Sequence, residues 1–185
     1  MVWDVQNALV NSIFDKDEFL GNLKTVIHAA RKRGISIIYT KITPLPADSN
    51  SSWSIYIMMK RYGVDDPAKL PEFLKPGTSD ADIPADVAPL DNDLVIKKHT
   101  ASIFIDTHVE YMIRNKGIDA IVFTGISTEF GIASSARDAS NRGFYPVVLK
   151  DCVSSRDKEM HEASLKALAG LCIVVPFAEV IKEWK

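Results

Sequence analysis

Apolar and polar residues follow each other in blocks along this chain, with short apolar runs separated by longer segments that have helical spacing. The first helical segment, residues 17–33, places its apolar side chains on one helix face and ends before Gly34. Helical spacing recurs in residues 107–117, 128–142, 158–170 and 178–185. Strand-sized runs rich in Val and Ile occupy residues 1–5, 35–42, 93–98, 118–125, 144–151 and 171–177.

This order of strands and helices predicts the fold class. Strand, helix and strand in alternation are typical of βαβ units, and glycine after each helix marks where the helix ends. The strands are almost continuously apolar, which favours a parallel sheet that is buried on both faces. We therefore predict an α/β fold, a three-layer α/β/α sandwich around a mostly parallel six-stranded, Rossmann-like sheet, with residues 1–185 forming a single domain.

One long segment departs from this pattern. Residues 43–92, here called the excursion, are rich in proline, aspartate and serine and contain one predicted helix, residues 52–63. A long connection inside a compact domain is usually functional. We expect the excursion to cover the strand ends as a lid or to dock on a partner subunit. Four apolar residues in it, Trp53, Ile55, Ile57 and Met58, form the expected contact patch.

Composition and charge narrow the function classes. The chain is 46% hydrophobic and 25% charged, as expected for a globular protein with a core. Its net charge is −2, and it has no stripe of basic residues of the kind that binds nucleic acid. No apolar run is long enough for a membrane helix, and Asp4 interrupts the region where a signal peptide would be basic and then apolar. Cys152 and Cys172 lie in apolar, strand-like contexts. We expect reduced core thiols in a cytoplasmic protein that has no nucleic-acid or membrane partner.

Candidate site residues fall at the ends of three predicted strands. Asp4, Lys98 and the turn at Gly125 each follow an apolar run, and ligands of such sheets bind at the carboxyl ends of the strands. One pocket can therefore hold all three. The side chain of Lys97 is expected on the opposite face of its strand. An Asp beside a Lys at a strand end is also often only a structural ion pair, and this alternative stays open.

Four stretches of the chain resemble the motifs of isochorismatase-like hydrolases, the cysteine hydrolase superfamily that includes nicotinamidases and N-carbamoylsarcosine amidases. They are WDVQN at 3–7, VIKKHTASIF at 95–104, TGISTEFGIASSARDASNRGF at 124–144 and VVLKDCVSS at 147–155. The resemblance implies a hydrolase of a small molecule that forms a homodimer or higher homo-oligomer.

The resemblance also assigns roles to residues. It implies a catalytic triad in which Asp4 and Lys98 are present and Gly131 stands where most relatives have the nucleophilic Cys. It implies a cis peptide between Ile126 and Ser127, and an oxyanion hole formed by the backbone N–H groups of Ser127 and Gly131. Glycine at this position places the chain in a subgroup with isochorismatases and with uncharacterised bacterial homologues.

A site without the Cys cannot form a thioester. Hydrolysis of a vinyl ether needs only an acid that protonates the enol-ether carbon, followed by water. We hypothesise that Asp4 is this acid, with a pKa raised by burial against Trp3 or Phe130, and that Lys98 holds a carboxylate of an isochorismate-like substrate. Gln6, Ile126, Ser127 and Phe130 complete the predicted substrate and oxyanion site.

Two alternatives remain open. One is an amidase-like hydrolase in which Asp4 activates water while the amides of Ser127 and Gly131 hold the oxyanion. The other is a non-catalytic protein that binds a small molecule. We predict no cofactor and no metal, because no two of the four histidines have metal-ligand spacing. Of these histidines, His28 and His161 are expected on helix surfaces.

Overall fold

A computed structural model describes residues 1–184 and contains a single six-stranded sheet. All neighbouring strands are parallel, and their order across the sheet is β3-β2-β1-β4-β5-β6. The strands are β1 (Val2–Trp3), β2 (Ile38–Ile42), β3 (Leu94–Lys98), β4 (Ala120–Ile126), β5 (Tyr145–Ser154) and β6 (Ile173–Val175). The prediction of a six-stranded parallel α/β sheet is confirmed.

The described residues contain seven α-helices. They are α1 (Asn7–Val10), α2 (Lys16–Lys32), α3 (Ser52–Tyr62), α4 (Val109–Asn115), α5 (Ala133–Asn141), α6 (Lys158–Leu168) and α7 (Phe177–Glu183). Apolar residues of α4, α5 and α6 pack on one face of the sheet, and those of α2 and α7 pack on the other. The sheet is therefore the middle of three layers, as the continuously apolar strands predict.

Three of the differences from the predicted elements concern the residues around the candidate site. Strand β1 ends at Trp3, because Asp4 has a φ of 46° and leaves the extended conformation. The predicted helix 128–142 begins with a π-helical turn, Thr128–Ile132, and continues as α5. Strand β5 runs to Ser154, three residues beyond its predicted end. Lys185, the last residue of the predicted tail helix, lies outside the described residues.

The strand registers bring the candidate residues to one edge of the sheet. Trp3 of β1 is paired with Gly125 of β4, and Ile42 of β2 is paired with Lys98 of β3. Because all strands are parallel, their carboxyl ends meet at the same edge. None of the helices in residues 1–184 has the length and apolar character needed to cross a membrane.

Candidate active site

Asp4 lies directly after β1 and is held in an unusual backbone conformation. Its φ of 46° is left-handed, a region that Asp enters more readily than most residues. Its N–H is donated to the carbonyl of Thr40 at 3.2 Å and to Thr40 Oγ1 at 3.0 Å. The same hydroxyl donates to Asp4 Oδ1 at 2.6 Å. Thr40, which sequence reasoning missed, therefore fixes both the backbone and the carboxyl group of Asp4.

Lys98 completes a buried ion pair with this carboxyl group. Its Nζ lies 2.6 Å from Asp4 Oδ2 and donates a second hydrogen bond to the carbonyl of Thr100 at 3.1 Å. Asp4 is 5% exposed and Lys98 is 2% exposed, whereas the neighbouring Lys97 is exposed. The alternation of side chains along β3 thus selects Lys98, and the structure brings the two predicted catalytic side chains together.

Burial shifts the pKa values of Asp4 and Lys98 in the directions that favour the neutral form of each side chain. It raises the pKa of Asp4 above the ordinary value of 3.8, although the charge of Lys98 and hydrogen bonds from Lys98 and Thr40 act in the opposite direction. Burial also lowers the pKa of Lys98 below 10.5, opposed by Asp4. Because the groups are in contact, the protons of Asp4 and Lys98 titrate as a pair. The low dielectric around them favours a proton on Asp4 at a higher pH than in water.

Trp3 occupies the space beside Gly131. A Cβ built on Gly131 would lie 2.0 Å from Trp3 Nε1 and 2.6 Å from Trp3 Cε2, far inside van der Waals contact. The indole is fully buried, and the centre of its ring lies 4.4 Å from Lys98 Nζ. The expectation that Trp3 is an apolar wall of the site therefore fits, but its ring also fills the position of a side chain at residue 131.

The turn after β4 has the predicted backbone. The peptide between Ile126 and Ser127 is cis, as expected, and Gly131 lies in the π-helical turn that follows. Ile126 is buried in the core on the α2 side of the sheet. Phe130 is 47% exposed, the guanidinium of Arg61 lies 5.2 Å from the centre of its ring, and its role in substrate binding stays a prediction.

Gln6 fastens the excursion to the site. Its buried side-chain amide donates to the carbonyls of Ile42 and Ala81, each at 3.2 Å. Asn7 adds two further hydrogen bonds, from its N–H to Asp82 and from its side chain to Ser79. Gln6 and Asn7 together thus hold residues 79–82 beside the segment that follows β1, and the amide N–H groups of Gln6 do not point into an open pocket.

A second polar cluster supports the turn from the other side. His161 of α6 is buried, and its Nδ1 lies 2.8 Å from the hydroxyl of Thr128, which donates to the carbonyl of Ser154. Burial lowers the pKa of His161. The prediction of a helix-surface histidine is wrong at this position. His161 holds the start of the π-helical turn against the end of β5.

Metal ligands do not converge in the described part of the chain. Within residues 1–184, no three side chains of His, Cys, Asp or Glu form a group that could hold a metal ion. The absence of a metal and of a cofactor stays a prediction. Both cysteines are free, and burial raises the pKa of Cys152 and Cys172.

Comparisons with known proteins agree with this fold. Maleamate amidohydrolase of Pseudomonas putida is 38% identical over 79 residues, which cover 43% of this chain and 37% of that protein. Isochorismatase of Bacillus subtilis is 27% identical over 180 residues, which cover 93% of this chain and 53% of that protein. The chain thus spans only about half or less of the length of these curated relatives.

A solved structure and a family match extend over nearly the whole chain. An isochorismatase-like hydrolase from Alkaliphilus metalliredigens superposes with a TM-score of 0.83 at 22% identity, covering 100% of this chain and 97% of that one. At this identity the likeness shows the fold alone. Residues 1–181 match the isochorismatase domain family. The chain therefore belongs to the isochorismatase family of hydrolases.

Proposed function

We propose that this chain hydrolyses a small anionic molecule, an isochorismate-like vinyl ether, by general acid catalysis with Asp4 as the acid. The observation that carries the proposal is the buried pair of Asp4 and Lys98, 2.6 Å apart at the carboxyl edge of the sheet. A Gly at residue 131 offers no nucleophile, so the reaction has to proceed without a covalent intermediate at that residue. Family relatives named as an isochorismatase and as amidohydrolases support hydrolysis as the reaction type.

In the proposed reaction, the carboxyl group of Asp4 both gives the proton and takes one back. Protonated Asp4 delivers its proton to the terminal carbon of the enol ether, which leaves an oxocarbenium ion and a carboxylate on Asp4. Water adds to this cation and returns a proton to Asp4. The resulting hemiketal then splits into a ketone and an alcohol. Thr40 Oγ1, 2.6 Å from Asp4 Oδ1, keeps the carboxyl group oriented during both proton transfers.

The closed geometry sets a condition on substrate binding. Asp4 and Lys98 are almost unexposed, and Lys98 Nζ already contacts Asp4, Thr100 and the ring of Trp3. An open cleft lined by Tyr145, Leu171 and other residues lies at the amino ends of β5 and β6, away from the pair. Substrate therefore reaches Asp4 only when a covering side chain moves, and the carboxylate of the substrate then takes a contact of Lys98.

The sign of the pH dependence tests the proposal. The active form of a general acid is protonated, so kcat/KM for isochorismate is expected to be constant at low pH and to fall as pH rises through the raised apparent pKa of the pair. That pKa lies above 3.8, the ordinary value of an aspartate. The measurement is a steady-state pH profile, with protein stability checked at each pH.

The alternatives predict different profiles. If Asp4 instead activates water for amide hydrolysis, the active form is the carboxylate, and kcat/KM for a small amide rises with pH through the same pKa. A protein that only binds small molecules turns over neither isochorismate nor amides at any pH. A rising limb or no turnover would each refute general acid catalysis by Asp4.

We also propose that the excursion joins two copies of this chain. None of the residues of α3 is buried, and the rings of Trp53 and Tyr56 lie beside each other on its surface, tilted by 31° with centres 5.6 Å apart and exposures of 67% and 54%. An exposed aromatic pair on a helix without a buried residue is typical of a docking surface. We assign a second copy of this chain as the partner because most soluble oligomers are symmetric homo-oligomers.

The substitution Trp53→Glu tests this self-association. Wild-type protein is expected to scatter light as at least a dimer of the 20.5 kDa chain, and the variant is expected to scatter as a monomer because a carboxylate replaces the apolar contact. The matched control is Tyr111→Glu, which places the same charge at an exposed aromatic of α4, outside the excursion. A monomeric wild-type protein would rule out the proposal.

A further inference from the structure

We propose that Trp3 is the specificity-determining residue of this site. Its indole takes the volume of a side chain at residue 131 and covers the ammonium of Lys98, so residue 3 decides whether the site can carry acyl transfer through residue 131. This proposal deepens the proposed function, because it accounts for a hydrolase site that works without a side-chain nucleophile. It rests on the contacts of Trp3 and not on the identity of the substrate.

The steric evidence concerns the Gly131 position. The closest atom to a Cβ on Gly131 is Trp3 Nε1 at 2.0 Å, followed by Trp3 Cε2 at 2.6 Å and Trp3 Cδ1 at 3.0 Å. These atoms belong to a rigid ring that is fully buried, in the same core cluster as Ile103 and Ile132. The ring cannot retreat by a small torsion, as the end of a flexible side chain could. Any residue larger than glycine at 131 therefore has to displace the indole.

The backbone does not demand glycine at residue 131. Its φ is outside the left-handed region, whereas Gly125 has a φ of 118° and lies against the backbone of Trp3, with a built Cβ 2.1 Å from the carbonyl oxygen of Trp3. At residue 125, glycine is thus required both by the backbone conformation and by the main chain of Trp3. At residue 131, only the indole of Trp3 requires glycine, so the side chains that residues 3 and 131 can carry depend on each other.

The indole also takes a contact that a substrate needs. Lys98 has three N–H donors, of which one binds Asp4 and one binds Thr100, and the ring of Trp3 lies over its Nζ. Trp3 Nε1 is itself buried and has no hydrogen-bond acceptor among the described residues. An unpaired buried donor destabilises the closed site, and a substrate oxygen is an acceptor that would satisfy it. Trp3 therefore both covers the Asp4–Lys98 pair and offers a hydrogen bond to a substrate that displaces it from Lys98.

A stability cycle tests the coupling. Gly131→Ala is expected to lower the melting temperature by about 3–10 °C, because its Cβ overpacks the indole. Trp3→Leu also lowers it by leaving a cavity. In the double variant Trp3→Leu/Gly131→Ala, the loss is expected to be smaller than the sum of the two single losses. The matched control is Gly21→Ala in α2, where nothing lies within 4 Å of the new Cβ, and no loss is expected.

A chemical readout tests access to residue 131. In Trp3→Leu/Gly131→Cys, the thiol introduced at residue 131 is expected to react with iodoacetamide, its sulfur bonding to the reagent carbon while iodide leaves. In Gly131→Cys alone, that thiol is expected to react at about a tenth of that rate or below, because Trp3 still blocks access to it. Cys152, buried and with a raised pKa, is the internal control for an unreactive thiol in the same mass spectrum.

The outcomes separate this proposal from the proposed function. Additive losses in the cycle, or equal alkylation of the introduced thiol with and without Trp3, would overturn the role of Trp3 whatever the enzyme hydrolyses. Failure of isochorismate turnover would refute the vinyl-ether reaction and leave the cycle untouched. If Gly131→Cys does not fold, the alanine series still decides the coupling.

Discussion

Replacing Lys98 by Met is expected to lower the free energy of unfolding by about 3–5 kcal/mol, the usual effect of removing one partner from a buried ion pair. Lys98 Nζ lies 2.6 Å from Asp4 Oδ2, and the side chains are 1% and 7% exposed, so the carboxyl group that remains has little water to solvate its charge. Asp4 can respond by taking up a proton, since its pKa is already raised by burial. The measurement is urea unfolding at neutral pH.

Two comparison variants make this result specific. Lys97→Met changes the neighbouring residue of β3, whose side chain is exposed, and is expected to alter stability by about 0.5 kcal/mol or less. In Asp4→Asn/Lys98→Met, both charges are gone, and stability is expected to recover part of the loss. Equal effects of the Lys97 and Lys98 substitutions would show that the buried pair does not stabilise the fold.

The same pair shows which features of the fold are readable from sequence. Helix spacing in residues 17–33 and continuously apolar strands such as 118–125 predict their elements and a buried parallel sheet, because burial of these patterns has few structural solutions. Alternation along β3 assigns Lys98 to the buried face and Lys97 to solvent. The parallel order then brings Asp4 and Lys98 to one edge, so the pair follows from the fold prediction.

Side-chain packing around the pair did not follow from local pattern. Trp3 reads as one more apolar strand residue, and nothing in its neighbours along the chain reveals that its ring lies against the distant Gly131. Thr40 likewise looks like a polar residue inside a strand, and His161 like a helix-surface residue. Each gains its role from contacts between distant elements, which periodicity does not encode.

The substitution Asp4→Asn is expected to lower kcat/KM for the vinyl-ether substrate by roughly 10²–10⁴-fold, the usual contribution of a positioned general acid. The amide nearly matches the carboxyl group in shape, and its single oxygen can still accept the hydrogen bond from Lys98 while its NH2 faces the hydroxyl of Thr40, but it has no proton of suitable acidity to transfer. The falling limb of the pH profile is expected to disappear in the variant, because the group that titrates is gone. Steady-state kinetics across the pH range measures both effects.

A loss of fold would imitate a loss of chemistry, so the variant has to be compared at matched stability. Asp91→Asn removes an exposed carboxylate before β3 and is expected to keep wild-type kcat/KM. Thr40→Val keeps the acid but removes the hydroxyl that orients it, and is expected to give an intermediate loss with the falling limb retained. An Asp4→Asn protein that folds normally and keeps kcat/KM close to that of wild type would show that the proton comes from another group. The buried pair would then stabilise the sheet edge without taking part in the reaction.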